Sequence, residues 1–161
     1  AVDVLLTRPE VDPDRLGVCG WSQGGQMSIL GAALDERIRA IVSVCGWGPL
    51  RGVDGARARN WAASYNFPRL APHLNGLRPL PLDFDHVVAC LAPRPFMDVR
   101  ADADDTFPNP DTADEALHAL ARLWTGAGAP DRFAVTRCPG GHAHSAPAAA
   151  AQVAWLQRWL A

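Results

Sequence analysis

A serine set between a short apolar run and a pair of glycines restricts this chain more than any other feature. The stretch reads Leu16-Gly17-Val18-Cys19, then Gly20-Trp21-Ser22-Gln23-Gly24-Gly25. The apolar run predicts a buried strand. The G-x-S-x-G spacing predicts a sharp turn into a helix with Ser22 at its apex. Such a turn strains the backbone at the serine and thrusts its Oγ into solvent. Gly20 and Gly24 are expected where strand and helix pass too close for a side chain. A serine displayed in this way is a nucleophile that needs a base and an acid.

The rest of the chain alternates strand and helix signals. Residues 1–7 read as the end of a helix closed by Arg8-Pro9. After the strand at 16–20, a helix is expected to about Leu34, with Met27, Leu30 and Leu34 as its apolar stripe. The β-branched run at 38–45 predicts a second strand. Asp83 is a plausible N-cap for a helix over 84–91, stopped by Pro93-Arg94-Pro95. Residues 96–101 predict a third strand. Thr112 to Glu115 forms a capping box, opening a helix that shares Ala113, Ala116, Leu117, Leu120 and Trp124 on one face and stops at Gly126. A fourth strand is expected at 133–138, and a last helix at 147–160 with Val153, Leu156, Trp159 and Leu160 facing the core. About four strands alternating with helices predict an α/β chain with a parallel sheet, in one domain over 1–161. Between 47 and 82 the pattern dissolves, as in a lid or binding loop.

Composition excludes little and supports no charged partner. The net charge is −2 and all fifteen basic residues are arginine, with no basic run. Neither a nucleic acid nor a membrane surface is indicated as a partner. Cys19, Cys45, Cys90 and Cys138 lie far apart, so a disulfide framework is not expected. Cys19, Cys45 and Cys90 fall in apolar runs, where cysteine behaves as a small hydrophobe. No signal peptide is visible, which points weakly to the cytoplasm.

In a parallel sheet, side chains just past the carboxyl ends of the strands converge in one crevice. After the third strand come Asp102, Asp104 and Asp105; after the fourth come Gly140-Gly141-His142-Ala143-His144. The order serine, acid, histidine is the one the elbow requires. His142 follows the glycine break that turns its loop back toward the serine, so it is the expected base. His144 is expected to line the loop, and His73, His86 and His118 to be structural or exposed. Spacing alone leaves Asp102, Asp104 and Asp105 open as the acid. The Gln23 N–H, at the start of the helix, is the expected oxyanion donor; no second donor is found. Trp21, Trp47, Trp61, Tyr65 and Phe67 are candidates to line a substrate pocket. Cys138, His142 and His144 lack a fourth partner, so no metal or other cofactor is assigned.

With these residues in hand, the chain resembles the α/β-hydrolase superfamily, and most of all bacterial serine esterases related to acetylxylan esterases and dienelactone hydrolases. The stretches that carry the resemblance are RPEVDPDRLGVCGWSQGG, ALDERIRAIVSVCG, ACLAPRPFMDVRADADDTFP, GAPDRFAVTRCPGGH and VAWLQRWL. The acid of such families stands four positions before the proline that closes its loop, so Pro108 implies Asp104. The histidine after a Gly-Gly pair implies His142. The resemblance further implies a small-molecule ester substrate, an acyl-enzyme and no cofactor. It also implies that the strands before the elbow strand are absent here, leaving an exposed, aggregation-prone sheet edge at residues 16–19. GWSQGG resembles the elbows of prolyl-oligopeptidase-type peptidases too. A serine peptidase is therefore the nearest alternative, and a non-catalytic hydrolase-like binding protein is a third.

Overall fold

Four short β-rich runs pair edge to edge in chain order. A computed structural model of the protein describes residues 1–161 apart from 52, 54, 108 and 109. In sequence the elements are α1 (Val2–Leu5), β1 (Gly17–Trp21), α2 (Gln23–Leu34), β2 (Ala40–Val44), α3 (Gly55–Trp61), α4 (Ala71–Leu74), α5 (Phe84–Ala89), β3 (Phe96–Ala101), α6 (Pro110–Gly126), β4 (Phe133–Cys138) and α7 (Ala146–Leu160). Short 3₁₀ turns stand at Pro68–Leu70 and Pro130–Arg132. The sheet order is β1-β2-β3-β4, every pair parallel, with Val42 opposite Cys19 on one side and Met97 on the other. All five residues of β2 are buried, as expected of a parallel strand covered on both faces.

Alternation along each strand splits the core in two. Ile41 and Phe96 pack with Ile29, Val88, Leu120 and Trp124 beneath α2, α5 and α6. Val42, Val44, Met97 and Val99 face the other way, onto Ala148 and Trp155 of α7. Arg94 ties the first layer together. Its guanidinium donates to the carbonyls of Ala32, Asp35 and Ile38 at the end of α2, where a cation offsets orphan carbonyls.

Several helix faces differ from expectation. In α2, Met27 and Leu34 are exposed and only Leu30 is partly covered; the buried face is Gly25, Gln26, Ser28, Ile29 and Ala32. The elbow sets how this helix meets the sheet, and it brings α2 so close that small residues occupy the contact. A Cβ on Gly25 would lie 2.7 Å from Ser43 Oγ and 2.9 Å from Gly46 Cα. Helix α6 begins at Pro110, two residues before the expected capping box, because proline suits the first helical position. In α7, Val153 is exposed while Trp155 is buried. Cys19 and Cys90 are exposed rather than packed, Cys19 on the sheet edge formed by β1, and all four cysteines are free. The segment at 47–82 holds α3, α4 and a 3₁₀ turn, although its sequence shows no period. Tertiary contacts order it: Trp61 stacks on Phe67 and packs against Phe84 and Phe107.

Asp83 is more than an N-cap. Its carboxylate accepts from the Phe84 N–H, from the N–H groups of Leu50 and Arg51, and from the Arg51 guanidinium. One buried side chain thus pins the chain after β2 to the start of α5. Burial acts to raise its pKa, but those three N–H groups and Arg51 outweigh it and hold the carboxyl below its ordinary value. The stability it supplies is complete above the unfolded carboxylate value of about 3.9 and is lost as pH falls through the lower native value. Asp83→Asn should therefore cost about 2–3 kcal/mol at neutral pH. In denaturant titrations the gap from wild type should close below about pH 4. A gap that does not change with pH would contradict this assignment.

Candidate active site

The turn from β1 into α2 places Ser22. Its φ of 54° and ψ of −122° lie where a residue with a side chain is strained, and its N–H donates to Val44 O at 2.8 Å. Gly20 makes the turn possible, because a Cβ there would lie 2.3 Å from the Gly24 carbonyl carbon. Gly24 is different: a Cβ on it would meet nothing within 4 Å. The two glycines expected to be equivalent are not. Gly20→Ala should destabilise the protein by roughly 3 kcal/mol or more. Gly24→Ala should change stability by under about 1 kcal/mol. Thermal unfolding of the two variants checks this, and equal losses would refute it.

The acid loop follows β3. Asp104 Oδ1 accepts from the N–H groups of Thr106 at 2.8 Å and Phe107 at 3.2 Å, a local turn that aims its carboxylate inward. Asp102 and Asp105 are exposed. Pro108, which implied the acid by resemblance, lies outside the described residues. The histidine loop follows β4. Gly140 has φ 104°, and its carbonyl accepts from Ala103 N–H at 2.9 Å, joining the two loops.

These three loops bring Ser22, His142 and Asp104 together. His142 Nε2 is 2.8 Å from Ser22 Oγ, and His142 Nδ1 is 3.0 and 3.1 Å from the two Asp104 oxygens. The side chains of His142 and Asp104 are 16% and 10% exposed, which leaves the imidazole reachable and the carboxylate shielded. With Nδ1–H donating to Asp104, Nε2 is free to accept from the serine hydroxyl. Trp21 and Phe107 flank the imidazole, with ring centroids 5.4 and 5.9 Å from it. His144 is exposed.

Cys45 stands behind the acid. Its Sγ, the Asp104 carboxylate and a His142 nitrogen lie within 4.8 Å of one another, the one such group of three metal-ligand types among the described residues. Each of these atoms has other work. Asp104 and His142 are bonded to each other, His142 is bonded to Ser22, and burial, followed by the Asp104 charge, pushes the Cys45 thiol up to about 11. Deeper still, Arg100 bonds Asp98 at 3.0 Å and Trp47 O at 3.2 Å. Burial pushes the Asp98 carboxyl above its ordinary value.

A cavity of about 250 Å³ opens beside Ser22, lined by Gln23, Gln26, Arg57, Asn60, Trp61, Tyr65, Asn66, Thr106 and Phe107. Of the aromatic candidates, Trp61 and Tyr65 line it. Trp21 lies against His142 instead. Trp47 is a core residue, 1% exposed, stacked on Phe84 and beneath Arg100. Phe67 faces a separate, mostly apolar cavity of about 530 Å³ between α2, α5 and the 66–82 segment. Sequence reasoning misses Gln26, Arg57, Asn60, Asn66, Thr106 and Phe107. Only Gln26 carries a signal, since the i, i+4 spacing from Ser22 places both on one side of α2.

A family model described as acetyl xylan esterase (AXE1) matches residues 1–47. The protein named "Putative hydrolase YtaP" of Bacillus subtilis (strain 168) is 30% identical over 99% of this chain and 51% of its own length. A glucuronoyl esterase from Solibacter usitatus superposes with a TM-score of 0.80 at 19% identity, over 97% of this chain and 45% of that one. The glucuronoyl esterase catalytic domain of Hypocrea jecorina gives 0.77 at 20% identity, over 99% and 48%. The chain thus spans about half the length of the relatives it matches. Its in-order parallel sheet and these structural likenesses place the chain in the α/β-hydrolase fold.

Proposed function

We propose that the protein hydrolyses carboxylic esters through an acyl-enzyme on Ser22. One observation carries the reading: a single imidazole lies 2.8 Å from a serine hydroxyl on one side and 3.0 Å from a shielded carboxylate on the other. A serine hydroxyl is a poor nucleophile at neutral pH, and a base in that position takes its proton as the oxygen attacks. His142 is that base. It returns the proton to the leaving alcohol, then activates the water that clears the acyl group. Asp104 holds the tautomer and stabilises the imidazolium. The Gln23 N–H, at the positive end of α2, faces the charge that develops on the carbonyl oxygen. The esterase likenesses favour an ester over a peptide bond.

Stopped-flow release of nitrophenol from a short-chain nitrophenyl ester tests this reading. An exponential burst approaching one equivalent per site, followed by slower turnover, is the expected result. Hydrolysis of a proline anilide in preference to the ester would support the peptidase alternative instead. Absence of turnover on either substrate by the intact protein would leave the non-catalytic reading standing.

A further inference from the structure

We propose that Cys45 is a positioning residue for the site: its thiol donates to the Asp104 carboxylate and holds it in register with the His142 imidazole. This rests on the esterase reading above and adds to it a residue that acts through the acid.

Among the described residues, Ser22 and Cys45 are the two with a side chain and a positive φ, at 54° and 46°. Backbone strain of this kind persists only where the surrounding structure imposes it, and it gathers at functional sites. Ser22 accounts for its strain as the nucleophile. Cys45 follows Val44, whose carbonyl accepts the Ser22 N–H, and its own N–H donates to Val99 O at 2.8 Å. The side chain leaves the end of β2 with its Sγ within 4.8 Å of both an Asp104 oxygen and a His142 nitrogen. A carboxylate offers about four acceptor positions. Asp104 fills them with the N–H groups of Thr106 and Phe107 and with His142, which leaves one open. Burial and the Asp104 charge keep the Cys45 thiol protonated at neutral pH, so what it offers the carboxylate is an S–H donor. A polar cavity of about 170 Å³ is lined by Cys45 and Asp104 together with Asp98, Arg100 and Asp102. Truncating Cys45 enlarges that space against Asp104, where water competes for the carboxylate and frees it to turn away from the imidazole. The thiol also packs with Val42, Val44, Met97 and Val99, and a purely packing role predicts a loss of stability alone.

The test uses the intact protein and two readouts. One is turnover of a short-chain nitrophenyl ester. The other is the downfield Nδ1–H proton resonance of His142 in the nuclear magnetic resonance spectrum, identified by its loss in His142→Ala. Cys45→Ala should lower kcat about 10- to 100-fold with KM within a few-fold of wild type, the loss expected when a catalytic group is slightly misplaced. Its proton signal should move upfield or broaden as the bond to Asp104 loosens. Cys45→Ser, which keeps a donor, should recover most of kcat and hold the signal near its wild-type position. Cys45→Gly removes the thiol and also relieves the positive φ. Its thermal midpoint should stay within a few degrees of wild type while kcat and the signal change as in Cys45→Ala, so it decides the matter even if Cys45→Ala does not fold. Folded Cys45→Ala or Cys45→Gly protein with a wild-type kcat or an unmoved signal overturns the inference. So does a loss of kcat in Cys45→Ser as large as in Cys45→Ala, which would assign the effect to the bulk of the sulfur and not to donation. A wild type that turns over no ester overturns the esterase reading alone, because the proton signal still reads whether Cys45 holds Asp104.

Discussion

Replacing Ser22 by alanine should lower turnover of a short-chain ester by roughly 10⁵-fold or more, since loss of a triad nucleophile removes covalent catalysis altogether. The fold should survive. Alanine meets the same positive-φ strain as serine at this position, and the N–H bond to Val44 O does not involve the side chain. What the folded state gives up is the hydroxyl bond to His142, worth about 1 kcal/mol on a partly exposed surface. A thermal midpoint within a few degrees of wild type, beside an activity at the limit of detection, is the expected pair of results. Residual activity within about 100-fold of wild type would place the nucleophile elsewhere.

Asp104→Asn should cost about 10⁴-fold in kcat, because an amide in place of the carboxylate favours the wrong imidazole tautomer and cannot balance an imidazolium. Its side-chain oxygen can still accept from the Thr106 and Phe107 N–H groups, so the loop should keep its shape. Asp102→Asn and Asp105→Asn are the matched controls. Both residues are exposed and neither bonds His142, so each should stay within a few-fold of wild type. A large loss in Asp105→Asn with none in Asp104→Asn would move the acid by one residue.

The parts of the molecule that are legible in the sequence are those where local chemistry and topology agree. Four short apolar runs, alternating with helical patterns, leave few arrangements other than an in-order parallel sheet. Such a sheet brings the loops after β1, β3 and β4 to one rim, and there Ser22, Asp104 and His142 meet. Spacing cannot choose among the three aspartates, because residues 102–105 lie beyond the strand and alternation has ended. What turns Asp104 inward is a pair of backbone N–H groups from Thr106 and Phe107, a feature of loop conformation rather than of residue type.

The expectations that fail share a cause. A stripe drawn for α2 from sequence weighs large apolar side chains, whereas the elbow presses this helix onto β2 through Gly25 and Ala32 and leaves Met27 and Leu34 outside. Trp47 begins the segment without a period, and position alone groups it with the pocket. In the fold it belongs to the core, held between Phe84 and Arg100 by contacts that no local pattern records. The cavity wall of Asn60 and Asn66 escapes sequence reasoning because amides in a helix or loop carry no motif, and Gln26 is marked only by its spacing from Ser22. They acquire meaning only when folding gathers them beside Ser22.

The most direct test of the central claim is the site of covalent trapping. The intact protein, treated with a fluorophosphonate and digested with trypsin, should carry one phosphonyl group on the peptide spanning residues 16–37, with fragmentation placing it on Ser22 and not on Ser28. His142→Ala should slow the labelling by orders of magnitude. A label that settles on another residue, or ester turnover that continues unchanged after Ser22 is fully modified, would contradict the account.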